Sequence, residues 1–406
     1  MDRYVISSEV LGSDSHMEVS PTGFTLLPKI PPEAWALSSG LRIDGGLCLN
    51  SAMRLAGCLP TLFPHEKWTK AMSQLGVVGP VPWSKVMPPD AYRGFVRGLV
   101  NSVMGNIDGL PKQYVRNTWT PGGVLLGMLR ATKVDMAAWR AAMDGQGDRS
   151  NGALESFKPG NGGWVSPVSY DRFGTRTGRL TVESGPNILI LRKDHRSILR
   201  SNFSDGKICS LDFSALEARI LLEEAGVVPG DGDVYMHIAK ELFDGKVERD
   251  VVKVAVLSEL YGASKAMLGA KLGMNGSRLD GFIDSVRSYF KVVQLRRRLA
   301  DELARTGRIH NRFGRPLFID GDKVDHLLVN SYAQSTGVDV SLLGFKSVVD
   351  FLGSDGIRPL FVLHDALILD VRGDRFDDVE RMRSVDVPGF STKFPMNLEK
   401  IYDLHA

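Results

Sequence analysis

Two apolar stretches far apart in the chain each carry an aspartate where the apolar run breaks. KICSLDFSALEARIL reads as a buried strand that reaches Asp212 and then continues as a helix through LEARILLEEAG. LFVLHDALILDV is two apolar runs interrupted by His364 and Asp365, the pattern of a hairpin that lifts two polar groups to its tip. Laid side by side in one sheet, these strands bring Asp212 and Asp365 to the same edge. Either Asp taken alone also fits a helix cap or a turn.

Between them, RDVVKVAVLSELYGAS spaces Arg249, Lys253, Leu257 and Tyr261 four residues apart. Each step advances about 40° around a helix, so the four form one slowly turning stripe. Such a stripe meets a nucleotide phosphate end first. Two cations and the helix N-terminus suit the phosphates, Tyr261 can stack on a base, and Gly262 lets the backbone turn. A solvated Arg/Lys stripe on an amphipathic helix has the same spacing. The paired carboxylates add the missing chemistry, because nucleotidyl transfer needs charge neutralised at both the attacking and the leaving oxygen, commonly by two metal ions. Magnesium takes hard oxygen ligands and few protein carboxylates.

Bulk composition permits this reading without demanding it. A chain of 406 residues holds two or three domains, and 43% hydrophobic with 24% charged residues is ordinary for a globular protein. A net charge of +3 is too small to announce a nucleic-acid partner, so any basic surface must be local. Three cysteines without a CxxC pair point to a reducing compartment and no structural zinc. The N-terminus lacks the apolar core of a signal peptide, and no apolar run approaches the roughly 20 residues of a membrane helix. A cytoplasmic protein with no membrane partner is expected.

Pro and Gly punctuate the first hundred residues, which read as irregular, with short elements and loops. Helical spacing begins at Pro89 and runs to about Gly145. The Gly-, Ser- and Asp-rich residues 144–163 form the best candidate hinge or domain boundary. Residues 233–305 read as mostly helical, interrupted around Gly262 and Gly273, and no internal repeat is present.

Four blocks, in order, resemble family A DNA polymerases, the relatives of bacterial DNA polymerase I, and most of all the shorter phage members. TGRL with PNILILR resembles TGRLSS…PNLQNIP, DFSALEAR resembles DYSQIELR, RDVVKVAVLSELYG resembles the R-x3-K-x7-YG fingers helix, and LHDA resembles the VHDE hairpin. Weaker matches lie in DVYMHIAKELF, NRFGRPLF, NSYAQSTGVDV and SVDVPGF, so the likeness covers roughly residues 165–406. It implies an α+β fold with right-hand architecture: an antiparallel β-sheet palm, helical fingers and a reduced helical thumb. The implied layout is an N-terminal segment of unassigned role at 1–99, thumb-like helices at 100–163, palm at 164–232 and 323–406, and fingers at 233–322. By resemblance Asp212, Asp365 and the Phe213 backbone carbonyl hold two Mg2+ ions. Arg249 and Lys253 bind the incoming triphosphate, with Lys253 also neutralising the leaving pyrophosphate. Leu257 and Tyr261 meet the nucleotide and the template-base pocket, and Glu217 fills the space of a ribose 2′-hydroxyl. Arg179, Asn330 and Gln334 reach the minor groove, and His364 steadies the primer terminus. RKDHRSILR and LRRRL are candidate phosphate contacts, or equally solvated faces. Primer-template DNA and deoxynucleoside triphosphates are the implied partners, with a helicase, primase or processivity factor as open companions. A phage enzyme of this kind works in the cytoplasm of its bacterial host.

The chain departs from the family in several places. Ala366 stands where a Glu usually follows the hairpin Asp, Leu257 where many members have an aromatic ring, and Ser258 and Glu259 where small residues are expected. Leu257 is shared with some phage members. No Asp-x-Glu, the start of the proofreading exonuclease's metal site, occurs in residues 1–160, so synthesis without 3′→5′ proofreading is expected. Two other readings stand beside DNA synthesis: a single-subunit RNA polymerase or ribonucleotide-tolerant enzyme, and a catalytically silent DNA-binding scaffold for replication.

Overall fold

The computed structural model describes residues 2–40, 47–77, 79–145, 152–261, 265–320 and 324–403; for 259–261, 324–326 and 400–403 the backbone alone is described. The chain divides into two compact units, one of Met1–Thr120 with Gly314–Pro316 and one of Pro121–Phe313 with Leu317–Ala406.

The first unit holds a five-stranded sheet of β1 (Tyr4–Ile6), β2 (His16–Ser20), β3 (Gly23–Leu27), β4 (Trp35–Leu37) and β5 (Leu47–Cys48), in the order β3-β2-β1-β4-β5. The sequence predicts short elements and loops here but no sheet. The reason for the difference is length. β1 and β4 have three residues each, all buried, which is too short a run to display alternation between the surrounding prolines and glycines. Helix α1 (Pro89–Asn106) starts where the spacing predicts, with Pro89 in its first turn, and buries Leu99 and Val103.

The helices of the second unit that frame the site are α2 (Leu216–Glu224), α3 (Val234–Phe243), α4 (Arg249–Tyr261), α5 (Lys265–Leu272), α6 (Gly276–Tyr289), α7 (Val292–Thr306) and the long α8 (Val324–Leu352). Gly273, in the left-handed conformation at φ +62°, separates α5 from α6 as expected, while Gly262 lies outside the described residues. Val252 and Val256 of α4 share one apolar core with Ile238 of α3, Phe282 of α6 and Leu299 of α7.

These helices accompany an antiparallel sheet of β6 (Lys207–Phe213), β7 (Ile357–Leu363), β8 (Ala366–Val371), β9 (Ser384–Val385) and β10 (Phe394–Asp403), in the order β7-β8-β6-β10-β9. Successive side chains of β6 point to opposite faces. Cys209, Leu211 and Phe213 join Val340, Phe345 and Val348 of α8 in one core. Phe213 stacks on Phe345 with ring centroids 4.9 Å apart, and a Cβ at Gly344 would stand 2.8 Å from the Phe213 ring, so only glycine lets α8 approach this closely. On the opposite face Ile208 packs with Ile368, Phe361, Leu154 and Phe157. Because Ala153, Leu154 and Phe157 are buried in that second core, the described part of the Gly-rich 144–163 stretch belongs to this unit. The division between units falls instead after Thr120, inside the region that reads as thumb-like helices. That region also contains a strand, Thr132–Val134, paired with Leu199–Arg200 and Trp164–Val165. Among the described residues no helix is long and apolar enough to cross a membrane.

Candidate active site

Asp212 sits on β6 in the middle of the sheet, opposite Ala366 of β8 on one side and Asn397 of β10 on the other. Asp365 lies in the two-residue turn joining β7 to β8, and the Phe213 amide donates to its backbone carbonyl at 2.9 Å. The hairpin and the strand therefore meet at the two aspartates, as their apolar runs require. Two residues here take the left-handed backbone conformation that favours glycine: Ala215 at φ +52° and His364 at φ +56°. Each costs on the order of 1 kcal/mol or more and persists because neighbouring structure fixes it. Ala215 turns the chain from β6 into α2, and His364 turns the hairpin.

A cleft of about 360 Å³ lies over this edge, within the second unit. Asp212, Asp365, Phe213, Arg179, Glu217, Arg249, Lys253, Leu257, Gln334 and His364 all line it. Each of these residues belongs to a motif legible in the sequence. Tyr235 and Asn397 line the cleft too, and no catalytic motif marks them. Tyr235 lies two residues after an N-capping Asp, where its apolar neighbours make it look like core, and Asn397 lies in a strand with no motif of its own. Asn330 is one turn before Gln334 on α8, half-buried, and does not line the cleft. The side chain of Tyr261 lies outside the described residues.

The charges divide the cleft. Burial, then Asp365 and Glu399, push the Asp212 carboxyl from 3.8 up to about 6, against an opposing pull from Lys193 and Arg196. Asp212 is open to water along the cleft, yet the flanking walls withhold enough solvent for the two neighbouring negative charges to be felt. Enclosure, with the Arg179 charge, also holds His364 below its ordinary value despite the attraction of Asp365, so its imidazole is neutral at pH 7. At the other end, Arg249 opens α4. Its Nε donates to Asp233 at 2.7 Å and one Nη to Asp250 at 2.8 Å, and its guanidinium lies 5.4 Å from the Tyr235 ring centre. Asp233 in turn accepts from the Tyr235 and Met236 amides as the cap of α3. Burial would raise the Asp233 carboxyl, but Arg249 and those amides outweigh it and hold it below the usual range. Lys253, one turn along α4, is exposed and makes no ion pair among the described residues. Thr177 donates to the Gln334 carbonyl oxygen at 2.7 Å, which leaves the Gln334 amide nitrogen for other partners.

Among the described residues no three His, Cys, Asp or Glu side chains are gathered closely enough to hold a metal unaided. The available set is two carboxylates and the Phe213 carbonyl, hard oxygens of the kind magnesium accepts when water and phosphate complete its shell. The raised Asp212 carboxyl supports the fit, since crowded like charges are what a divalent cation would relieve. It also costs the fold. A carboxyl raised in the folded chain makes stability fall as pH rises from about 4 to about 6, and the penalty remains fully present above. Asp212→Asn in chelator-treated protein should therefore be more stable than wild type at pH 8, by roughly 1 kcal/mol once screening of this open group is discounted. At pH 3.5 the gain should vanish. Urea midpoints at the two pH values check this, and equal gains at both would refute the electrostatic account.

The pattern of DNA polymerase family A matches residues 158–393. DNA polymerase I of Chloroflexus aurantiacus is 25% identical over 245 residues, covering 53% of this chain and 26% of that protein. The thermostable DNA polymerase I of Thermus aquaticus is 24% identical over 258 residues, covering 57% of this chain and 31% of its own length. The chain thus spans about a quarter to a third of the length of these relatives. In fold it is similar to the POL domain of Pol1 from M. smegmatis, solved in complex with DNA primer-template and dNTP. The TM-score is 0.60 at 13% identity, over 98% of this chain and 94% of that one.

Proposed function

This chain belongs to DNA polymerase family A, and on that premise we propose that it extends a primer 3′-hydroxyl on a DNA template with deoxynucleoside triphosphates. The observation that carries the reading is one cleft lined by Asp212 and Asp365 together with Arg249 and Lys253. The pairing of an anionic pole with a cationic one suits a magnesium-bound triphosphate. Two magnesium ions held by Asp212, Asp365 and the Phe213 carbonyl would supply charge neutralisation at the attacking and leaving oxygens. Arg249 and Lys253 bind the triphosphate and orient its leaving end. Gln334 donates its amide toward acceptors in the minor groove, Arg179 joins it there, and the neutral His364 steadies the primer terminus. The palm comprises 164–232 and 323–406, and the fingers 233–322. Leu257 supports a phage-type enzyme, and the lack of an Asp-x-Glu in residues 1–160 supports synthesis that this part of the chain does not proofread.

Extension of a labelled primer on a DNA template with magnesium tests the reading. Deoxynucleotide-dependent extension is expected. Tight binding of the same DNA with no extension by either nucleotide class would favour a scaffold. A second reading, ribonucleotide tolerance, has one observation behind it: Leu257, an aliphatic group where many members carry a ring, lines the cleft together with Glu217. The same assay with ribonucleotides decides it. Glu217→Ala should raise ribonucleotide relative to deoxynucleotide incorporation by about tenfold or more, some 1.4 kcal/mol of differential barrier. An unchanged ratio removes Glu217 from the gate.

A further inference from the structure

The sheet offers a replacement for the carboxylate missing at Ala366. In an antiparallel sheet, directly opposed residues point to the same face. Asp212 faces Ala366 and Asn397, neither of which is charged. Two residues beyond Asn397 on β10 is Glu399, opposite Ser210, so its side chain leaves the sheet on the Asp212 face. A diagonal pair of this kind has Cα atoms about 7–8 Å apart, within reach of a long side chain. The 3-10 helix Lys193–Ile198 supplies the cations beside it. Lys193 Nζ lies 2.6 Å from the Glu399 carboxylate, with both groups largely exposed, and Arg196 feels the charges of Glu399 and Asp212 together.

We propose that Glu399 is the third carboxylate of the metal site, supplied from β10 in place of the residue after the hairpin aspartate and exchanged from Lys193 when a divalent cation binds. The inference rests on the polymerase reading of the cleft and adds a ligand to it. It gives the ion pair with Lys193 a purpose that an exposed pair lacks on energetic grounds, since such pairs contribute little to stability.

The test is binding of Mn2+ to the full chain without DNA or nucleotide, read by the electron paramagnetic resonance of the free ion. Glu399→Gln should weaken Mn2+ binding about tenfold. Lys193→Ala, which frees the carboxylate, should tighten it, and adding Ala366→Glu to Glu399→Gln should restore it. Thermal melts of each variant exclude unfolding as the cause. If Glu399→Gln binds Mn2+ as wild type does while Asp212→Asn loses it, Glu399 is a surface partner of Lys193 only, and the polymerase reading stands without it. Should Asp212→Asn also bind normally, there is no metal site at this edge and both fall.

Discussion

Asp212→Ala and Asp365→Ala are each expected to lower primer extension by about four orders of magnitude, more than 5 kcal/mol of barrier, while primer-template DNA stays bound. Both residues lie at one sheet edge, and with Glu399 held on Lys193 no third acidic, His or Cys side chain among the described residues closes a metal cage around them. Losing either one therefore takes a third of the side-chain ligands if Glu399 is counted, and half without it. The cationic residues lining the cleft, Arg179, Arg249 and Lys253, are left in place, so attraction for nucleic-acid phosphates should persist. Single-turnover extension measured beside filter binding separates the two effects. Near wild-type extension by either variant would refute the metal assignment. Loss of DNA binding in parallel with extension would mean that the aspartates hold the fold rather than the metal. Asp212→Asn provides the control, because its removal of a strained charge predicts a fold at least as stable as wild type at pH 8.

The parts of this site that could be read from sequence are those whose chemistry follows a local period. β6 and the β7–β8 hairpin announce themselves by apolar runs that only burial on both faces explains, and α4 by a four-residue spacing of two cations, an aliphatic and an aromatic side chain. Tyr235 and Glu399 are different. Tyr235 belongs at once to an apolar core and to the cleft wall, so its pattern is that of any amphipathic helix. Glu399 comes near Asp212 only through the register of β10 against β6, a long-range pairing that no window of sequence contains. The same limit explains the first unit. Its sheet joins strands of two to five residues, and pairing across the sheet, rather than propensity within each strand, makes them strands. Ala366 and Leu257 were visible as departures from a resemblance, yet only the sheet register indicates which neighbour could answer the first of them.

Arg219 should carry the largest stability effect outside the cleft. It is the last residue of DFSALEAR, and its side chain is fully buried. Its guanidinium donates to three backbone carbonyls: Ser214 at 3.1 Å, Gly230 at 2.9 Å and Gly232 at 2.5 Å. Burial pulls its pKa below the ordinary arginine value, with Asp231 and Asp233 opposing, but it stays charged at any working pH. Arg219 thus ties the turn after Asp212 to the loop that leads into α3, where Asp233 holds Arg249. Arg219→Met keeps the length and apolar stem but leaves three carbonyls without their donor, at about 1–3 kcal/mol for each one that water cannot reach. A total loss of roughly 3–5 kcal/mol is expected, read as a fall in the urea midpoint at unchanged slope. Arg219→Lys should recover less than half of it, because a single ammonium cannot span three acceptors in a fixed plane. A loss below about 1 kcal/mol for Arg219→Met would show that the carbonyls find water instead, and the fork would then be a local cap with no hold on the site. If the larger loss is found, extension at permissive temperature should fall mainly through a higher KM for the nucleotide, since the element set adrift is the one that positions Arg249 and leaves Asp212 on its strand.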